Sequence, residues 1–322
     1  MKNNPVVKFP NSLRVTKSDR YAVILAGGDG SRLKSLTRAI AGDERPKQFC
    51  PILNNETLLD ITRNRVALKI APENTFFSLT AKHERFYSAP LAGVSKRQLT
   101  IQPENKGTAP AILYSLLQLA KMAPEATVAF FPSDHYFSDD RAFMNNVETA
   151  FQAVEMNPNS LVLLGIEPES AETSYGWIEP KETLFGDLAK AVSPVERFWE
   201  KPSFEAANYL MTKGCLWNSF VMIGKVGTFL GIIEKNLPAL YKMFAASSTA
   251  FGTSAEKATM RSLYAWITDV NFSSEVLEKA TAELYVLRVA DVVWSDWGEP
   301  QRVLGTLENL GVQTDWMPAV AA

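Results

Sequence analysis

The sequence has few cysteines and little net charge, and each shortage excludes a class of protein. Only 2 cysteines, Cys50 and Cys215, occur in 322 residues, which excludes a disulfide framework and a cysteine metal site. We expect both to be buried free thiols in a reducing compartment. The 33 basic and 35 acidic residues leave a net charge of −2, unlike the basic footprint of a nucleic-acid-binding protein. We therefore expect no nucleic acid partner.

Long apolar runs are also missing. The longest unbroken apolar stretches, such as Leu161–Ile166, are far shorter than the ~20 residues that span a bilayer. Residues 1–20 lack the apolar core of a signal peptide. We therefore expect a cytoplasmic protein without a membrane partner. At 46% hydrophobic residues, the chain can build a large core in one domain or two.

Short apolar runs alternate with longer amphipathic segments along the first half of the chain. Strands are predicted over residues 21–25, 76–80, 99–102, 126–131 and 161–166, with helices over 57–70, 108–122 and 140–154. The less regular second half predicts strands over 176–180, 192–200, 216–223 and 283–289, and helices over 204–211, 225–235, 254–266 and 274–281. This alternation predicts an α/β fold, with a Rossmann-like mixed, mostly parallel sheet and helices on both faces.

A glycine-rich segment, LAGGDGSRL, follows the first predicted strand directly. Its glycines remove side-chain bulk, so that backbone N–H groups can surround a polyphosphate. Arg32 adds a planar fork of donors suited to phosphate oxygens. The segment lacks the Gly-Lys-Ser/Thr ending of a Walker loop, and Leu33 stands where a dinucleotide fingerprint needs glycine. Taken alone, the segment is also compatible with an ordinary glycine-rich turn.

The segment PKQF, residues 46–49, follows the glycine loop and adds a second cation, Lys47. Together the two segments resemble the opening pattern LAGGxGxRL…PKQF of the sugar-1-phosphate nucleotidyltransferases, and most of all the bacterial mannose-1-phosphate guanylyltransferases. The resemblance runs from about Tyr21 to about Leu304. It implies the nucleotide-diphospho-sugar transferase fold, also called GT-A-like. It also implies a catalytic domain over residues 21–304, between an N-terminal extension over 1–20 and a short C-terminal tail over 305–322.

The nucleotide side of the implied site rests on three further segments. Residues 102–111 resemble the family's base-side segment EPxxRNTAPA, with Gln102, Lys106 and Gly107 in place of Glu, Arg and Asn. Asp134 ends a predicted strand, where ligands of α/β sheets gather, and with Asp296 of WSDWG it matches the family's Mg²⁺-binding aspartates. By this resemblance Arg32 and Lys47 are catalytic, and the nucleotide-binding residues are Leu25, Ala26, Gly27, Gly28, Gly30, Ser31, Gln102, Gly107, Thr108, Ala109 and Ser133.

The sugar side is carried by three short motifs that match the family in its order. The stretches TSYGWI, EKP and LWNS imply that the sugar phosphate is bound by Tyr175, Gly176, Glu200, Lys201 and Asn218. The chain departs from the family at Phe220, where the commonest form has glycine, and at Ser273 and Ser274, where the family has Asp and Tyr. We interpret His83 as an inert residue of a predicted surface helix, and His135 as structural.

The resemblance implies transfer of GMP from GTP to mannose 1-phosphate, with Mg²⁺ as cofactor. The sugar-phosphate oxygen attacks the α-phosphorus and pyrophosphate leaves in line, so the enzyme's tasks are positioning and charge neutralisation. A same-fold transferase with another base or sugar is one alternative, and a catalytically silent regulatory homologue is another. A homodimer is compatible with the sequence.

Overall fold

The structure, a computed structural model, describes residues 19–181, 192–312 and 316–317. Most of the predicted N-terminal extension, up to residue 18, lies outside the described residues. The predicted tail over 305–322 is described only to residue 312 and at 316–317. Both cysteines are buried and free, as expected.

Nine strands of the described chain form one sheet in the order β3-β2-β1-β4-β9-β6-β10-β8-β7. Strands β1 to β4 pair in parallel, as do β6 and β10, whereas β9 runs against both β4 and β6. Because β7 also pairs with β9, the strands β9, β6, β10, β8 and β7 close into a ring. The nine are β1 Arg20–Leu25, β2 Thr75–Thr80, β3 Leu99–Gln102, β4 Thr127–Pro132, β6 Leu161–Ile166, β7 Gly176–Pro180, β8 Ser193–Glu200, β9 Leu216–Lys225 and β10 Leu284–Val289.

Alternate side chains of each central strand enter two different cores, one on each face of the sheet. In β1, Ala22 and Ile24 join one core, while Val23 joins the other. The first core is covered by α2, α5 and α6, and the second by α4, α7, α8 and α9. The prediction of a mixed sheet with helices on both faces is therefore confirmed. The helices are α1 Lys34–Ala41, α2 Leu58–Ala67, α3 Glu84–Tyr87, α4 Thr108–Met122, α5 Asp140–Met156, α6 Phe204–Thr212, α7 Val226–Asn236, α8 Pro238–Ser247, α9 Glu256–Tyr264 and α10 Pro300–Asn309.

Several helices differ from the sequence prediction. The helices α1, α8 and α10 were not predicted, although α1 ends at Gly42 with φ of 76° and α10 begins with Pro300, both ordinary helix boundary signals. The helix predicted over 274–281 is instead a five-residue π-helix, Ser273–Leu277. Its two serines are weak helix formers. Among the described residues, no helix has the length and apolar character needed to cross a membrane.

A third, smaller core joins α1 and α10 to Tyr136 and Trp297. Trp297 is fully buried there and stacks on Tyr136, with ring centroids 5.3 Å apart. Its indole Nε1 donates to Thr306 Oγ1 at 3.0 Å, which fixes α10 beside the predicted metal-binding segment. The helix α10 continues past residue 304, and its Val303 and Leu307 are part of this core.

Candidate active site

A short two-stranded ribbon brings the two predicted metal ligands together. Strand β5 (Tyr136–Phe137) pairs antiparallel with β11 (Trp294–Ser295), and Ser295 lies opposite Tyr136. Asp134 precedes the first strand of the ribbon and Asp296 follows the second. Both carboxylates line one cleft of about 300 Å³, which we call the charged cleft.

The charged cleft also contains the two predicted catalytic cations and part of the glycine loop. It is lined by Gly30, Ser31, Arg32, Leu33, Lys47, Asp134, His135, Asp296 and Gly298. An adjoining cavity of about 270 Å³, which we call the inner cleft, shares Asp134 and His135 with it. The inner cleft is lined by Leu25, Gly27, Gly28, Gln48, Ser78, Gln102, Asn105, Gly107, Thr108, Ala111, Pro132, Ser133, Asp134, His135 and Phe220. Ala26 and Ala109, which were also predicted to bind the nucleotide, are fully buried and do not line the inner cleft.

Lys47 contacts both of the segments that contain the two aspartates. Its side chain is only 9% exposed, and Nζ lies 3.4 Å from Asp134 Oδ2. The same ammonium donates to the backbone carbonyls of Trp297, at 3.0 Å, and Asp296. Lys47 therefore neutralises Asp134 and fixes the Asp296 loop. Its catalytic role, implied by the sequence resemblance, stays a prediction.

Asp296 is held by three donors that all bind the same carboxylate oxygen. Oδ1 accepts from Tyr175 Oη at 2.9 Å, from the Gly298 N–H at 2.8 Å and from Arg302 Nη1 at 2.8 Å. Burial raises the pKa of this carboxyl, but the positive charges of Lys47 and Arg302 and the hydrogen bond from Arg302 contribute to a net lowering of that pKa. Asp296 is therefore an oriented carboxylate anion at neutral pH.

Arg302 is a site residue that the sequence did not reveal. Besides Asp296, its guanidinium donates to Tyr175 Oη at 3.0 Å, to Glu172 Oε2 at 2.7 Å and to Ser174 Oγ at 2.8 Å. One arginine of α10 thus connects the loop before β7 with the predicted metal-binding segment. Its partners are far away in the sequence and α10 was not predicted, so no local pattern indicated this role.

The glycine loop is held in place by side chains from neighbouring elements. Gln48 Nε2 donates to the carbonyls of Ala26 at 3.1 Å and Gly28 at 2.8 Å, which gives the glutamine of PKQF a structural role. A Cβ at Gly27 would lie 2.9 Å from Thr80 Oγ1, and Gly30 has φ of 58°. The conformation of this loop therefore depends on glycine at both positions.

The position of one of the two histidines differs from the sequence interpretation. His83 is buried, not on the surface, and its Nε2 lies 3.2 Å from Asp29 Oδ1 of the glycine loop. The expected surface position was wrong, because the short helix that contains His83 packs against this loop. Burial lowers the pKa of His135 to about 4, so its ring is neutral at pH 7 between the two clefts.

The predicted sugar-side residues collect where β7, β8 and β9 pair. Gly176 lies opposite Glu200, and Trp177 lies opposite Trp217, the residue before Asn218. Burial raises the pKa of Glu200. Tyr175 donates to Asp296 Oδ1, which lies at the charged cleft. None of the five predicted sugar-phosphate ligands lines either cleft: Tyr175, Gly176, Glu200, Lys201 and Asn218.

The structure explains why glycine replaces the family's asparagine at residue 107. Its φ is 85°, and a Cβ there would lie 2.4 Å from the carbonyl oxygen of Val270. No side chain fits this position without moving the backbone. Thr108, the first residue of α4, accepts the Phe272 N–H at 2.8 Å through Oγ1, which ties the same region to the second half of the chain.

Gly107→Ala is expected to lower the free energy of unfolding by about 2 kcal/mol or more, because it adds backbone strain and a backbone clash. Chemical denaturation followed by circular dichroism measures this change. Gly28→Ala is the matched control, since a Cβ there meets nothing within 4 Å. Equal stabilities of the two variants would contradict the assignment of strain to Gly107.

The charged cleft has a donor set that suits a hard divalent cation. Two carboxylates line this cleft. The three hydrogen bonds to Asp296 all end on Oδ1, so Oδ2 accepts none of them. Within the described residues there is no cluster of three or more acidic, histidine or cysteine side chains that could enclose a metal. The remaining ligands of a cation here would be water and substrate oxygens, the usual arrangement for Mg²⁺.

Comparison with known proteins gives a consistent assignment. The family model described as nucleotidyl transferase matches residues 21–309. XanB, a xanthan biosynthesis protein of Xanthomonas campestris, is 32% identical over 69% of this chain and 46% of its own length. A mannose-1-phosphate guanylyltransferase of Escherichia coli is 30% identical over 70% of this chain and 46% of its own length. The chain thus spans about half the length of the curated relatives it matches.

Solved structures show the same fold. The crystal structure described as mannose-1-phosphate geranyltransferase from Thermus thermophilus superposes with a TM-score of 0.76 at 28% identity. The superposition covers 92% of this chain and 80% of the Thermus thermophilus chain. A UDP-glucose pyrophosphorylase structure, at 14% identity and a TM-score of 0.55, shares the fold alone. With the family match over nearly all of the described residues, we conclude that the chain belongs to the nucleotidyl transferase family.

Proposed function

We propose that this protein transfers GMP from GTP to mannose 1-phosphate, giving GDP-mannose and pyrophosphate. The observation that carries this proposal is the adjacency of the two clefts. A glycine-walled cavity that suits a nucleoside opens onto a cleft with two cations and two carboxylates, which suits a polyphosphate and a divalent metal. The similar proteins that are named as mannose-1-phosphate guanylyltransferases support the choice of GTP and mannose 1-phosphate.

The residues present suffice for the chemistry of nucleotidyl transfer. The bond that forms joins a phosphate oxygen of the sugar 1-phosphate to the α-phosphorus of GTP. The bond that breaks joins the same phosphorus to the bridging oxygen, and pyrophosphate leaves with the electron pair. The nucleophile is already an anion, so no side chain has to remove a proton. In this proposal, Arg32 and the N–H groups of the glycine loop, which line the charged cleft, stabilise the charge on the leaving pyrophosphate.

Asp134 and Asp296 are the residues that would hold a divalent cation, for which we propose Mg²⁺. When bound, such an ion would supply charge neutralisation and a template for the phosphate oxygens. Lys47 pairs with the carboxylate of Asp134, and Arg302 pairs with the carboxylate of Asp296. Each aspartate is therefore held in position by a different cation. Full turnover in excess chelator would contradict this metal assignment.

Arg302→Met is expected to raise the Mg²⁺ concentration at half-maximal rate by about 10–100-fold, because partners that orient a metal ligand typically matter by this factor. Arg302→Lys keeps the charge but loses the planar fork, so we expect an intermediate value. Rates measured across a Mg²⁺ titration give both numbers. A uniform loss of rate at every Mg²⁺ concentration would show that Arg302 does not act through Asp296.

The proposed reaction is tested by following pyrophosphate release from GTP and mannose 1-phosphate and identifying the product by mass spectrometry. We expect GDP-mannose in equal amount to pyrophosphate, and a lower kcat/KM with glucose 1-phosphate. A higher kcat/KM with glucose 1-phosphate would change the sugar in the proposal. Pyrophosphate release without any sugar nucleotide would contradict the proposed reaction as a whole.

A further inference from the structure

The central strand β9 contains an irregularity beside the inner cleft. Leu163 of β6 lies opposite Met222, but Gly165 lies opposite Asn218, so residues 219–221 of β9 face Leu164 alone. On its other side, the last β9 residue paired with β4 is Met222. The strand therefore bulges at residues 219–221, and bulges beside active sites commonly re-aim a side chain.

Side chains of β9 itself hold the bulge. Asn218 Oδ1 accepts the Phe220 N–H at 3.0 Å, and Ser219 Oγ accepts the Val221 N–H at 3.2 Å. The Ser219 hydroxyl also donates to the Leu164 carbonyl at 2.6 Å. These bonds partly replace the strand pairing that the bulge interrupts, so the irregular backbone is a fixed feature of the fold.

The bulge gives Phe220 an unfavourable backbone conformation. Its φ is 61°, in the left-handed region that favours glycine and disfavours bulky side chains. A glycine would relieve the strain, yet the chain has a phenylalanine. Strain of this kind in a residue that lines a cleft indicates a function for the side chain.

The position of the ring indicates what that function is. Phe220 lines the inner cleft together with Gly27, Thr108 and Ser133, and it is partly exposed there. Aromatic faces pack well against nucleobases, and a purine offers a larger face than a pyrimidine. We infer that Phe220 is a specificity-determining residue, whose ring forms a wall of the inner cleft for the purine nucleoside. This inference rests on the proposed function, because it takes the inner cleft as the nucleoside site.

The test measures the dissociation constants of GTP and UTP by isothermal titration calorimetry, for the whole protein without sugar phosphate. Phe220→Gly removes the ring and the strain, whereas Phe220→Leu keeps apolar volume and removes only the aromatic face. We expect GTP binding to weaken about tenfold or more in Phe220→Gly and about fivefold in Phe220→Leu. UTP binding should weaken less, so the preference for GTP falls in both variants.

Asp291→Gly is the matched control, because Asp291 has the same φ of 61° and lies outside the linings of both clefts. It should leave both dissociation constants unchanged, and thermal melting of each variant checks that the fold is retained. GTP dissociation constants within twofold of wild type in both Phe220 variants would overturn the inference, as would equal weakening of GTP and UTP. A wild-type protein that prefers UTP would instead contradict the proposed function, which separates the two failures.

Discussion

Arg32→Ala is expected to lower kcat by ~10²–10³-fold, the usual cost of removing one preorganised group that stabilises transition-state charge. The side chain of Arg32 is 61% exposed at the charged cleft, and its nearest acid, Glu299, is 4.0 Å away. An exposed pair at this distance contributes little to stability. The guanidinium is thus available for a substrate phosphate, and its loss should leave the melting temperature unchanged.

Steady-state kinetics and thermal melting of the same preparations test this prediction. Arg38→Ala provides a matched control, because Arg38 is 64% exposed, pairs with Glu44 and lies on the neighbouring α1 outside the charged cleft. It should retain the wild-type rate. A loss of tenfold or less in Arg32→Ala, with unchanged melting, would mean that Arg32 is peripheral to the reaction.

The fold and the clefts were predictable from the sequence to different extents. Strands such as β3 and β6 were predicted to the residue, because alternating or continuous apolar residues over such a short length are typical of a strand. The positions of the glycine loop and of Asp134 were predictable for the same reason, since each lies just after such a strand. What could not be predicted are the contacts made between distant parts of the chain.

Arg302 and Lys47 illustrate this limit. Arg302 lies in α10, which the sequence analysis did not predict, and its role depends on partners from the loop before β7. Lys47 was placed correctly beside the glycine loop, but its ammonium is engaged by the Asp296 and Trp297 carbonyls. Phe220 stood out only as a departure from the family pattern, and its backbone strain follows from a bulge that residue types alone do not indicate.

In the proposed reaction, we expect the choice of base to depend on polar groups that are buried in the inner cleft. Gln102 is 2% exposed, and its side-chain amide is fixed by Tyr264 Oη at 3.1 Å and by Ser78 Oγ at 3.3 Å. A site with fixed polar groups discriminates strongly, because the wrong base leaves them unpaired in a buried environment. Guanine presents N1–H and an exocyclic amine as donors, whereas adenine has an unprotonated N1 at that edge.

The most direct measurement is therefore kcat/KM for GTP against ATP, UTP and dTTP, each with saturating mannose 1-phosphate. We predict that GTP is preferred over ATP by ~10⁴-fold, the range typical of sites that pair a substrate's polar groups. Pyrophosphate release reports all four nucleotides in the same assay, so the ratio does not depend on product detection. A nucleotide that equals or exceeds GTP would contradict the guanylyl assignment, while membership of the nucleotidyl transferase family would stand.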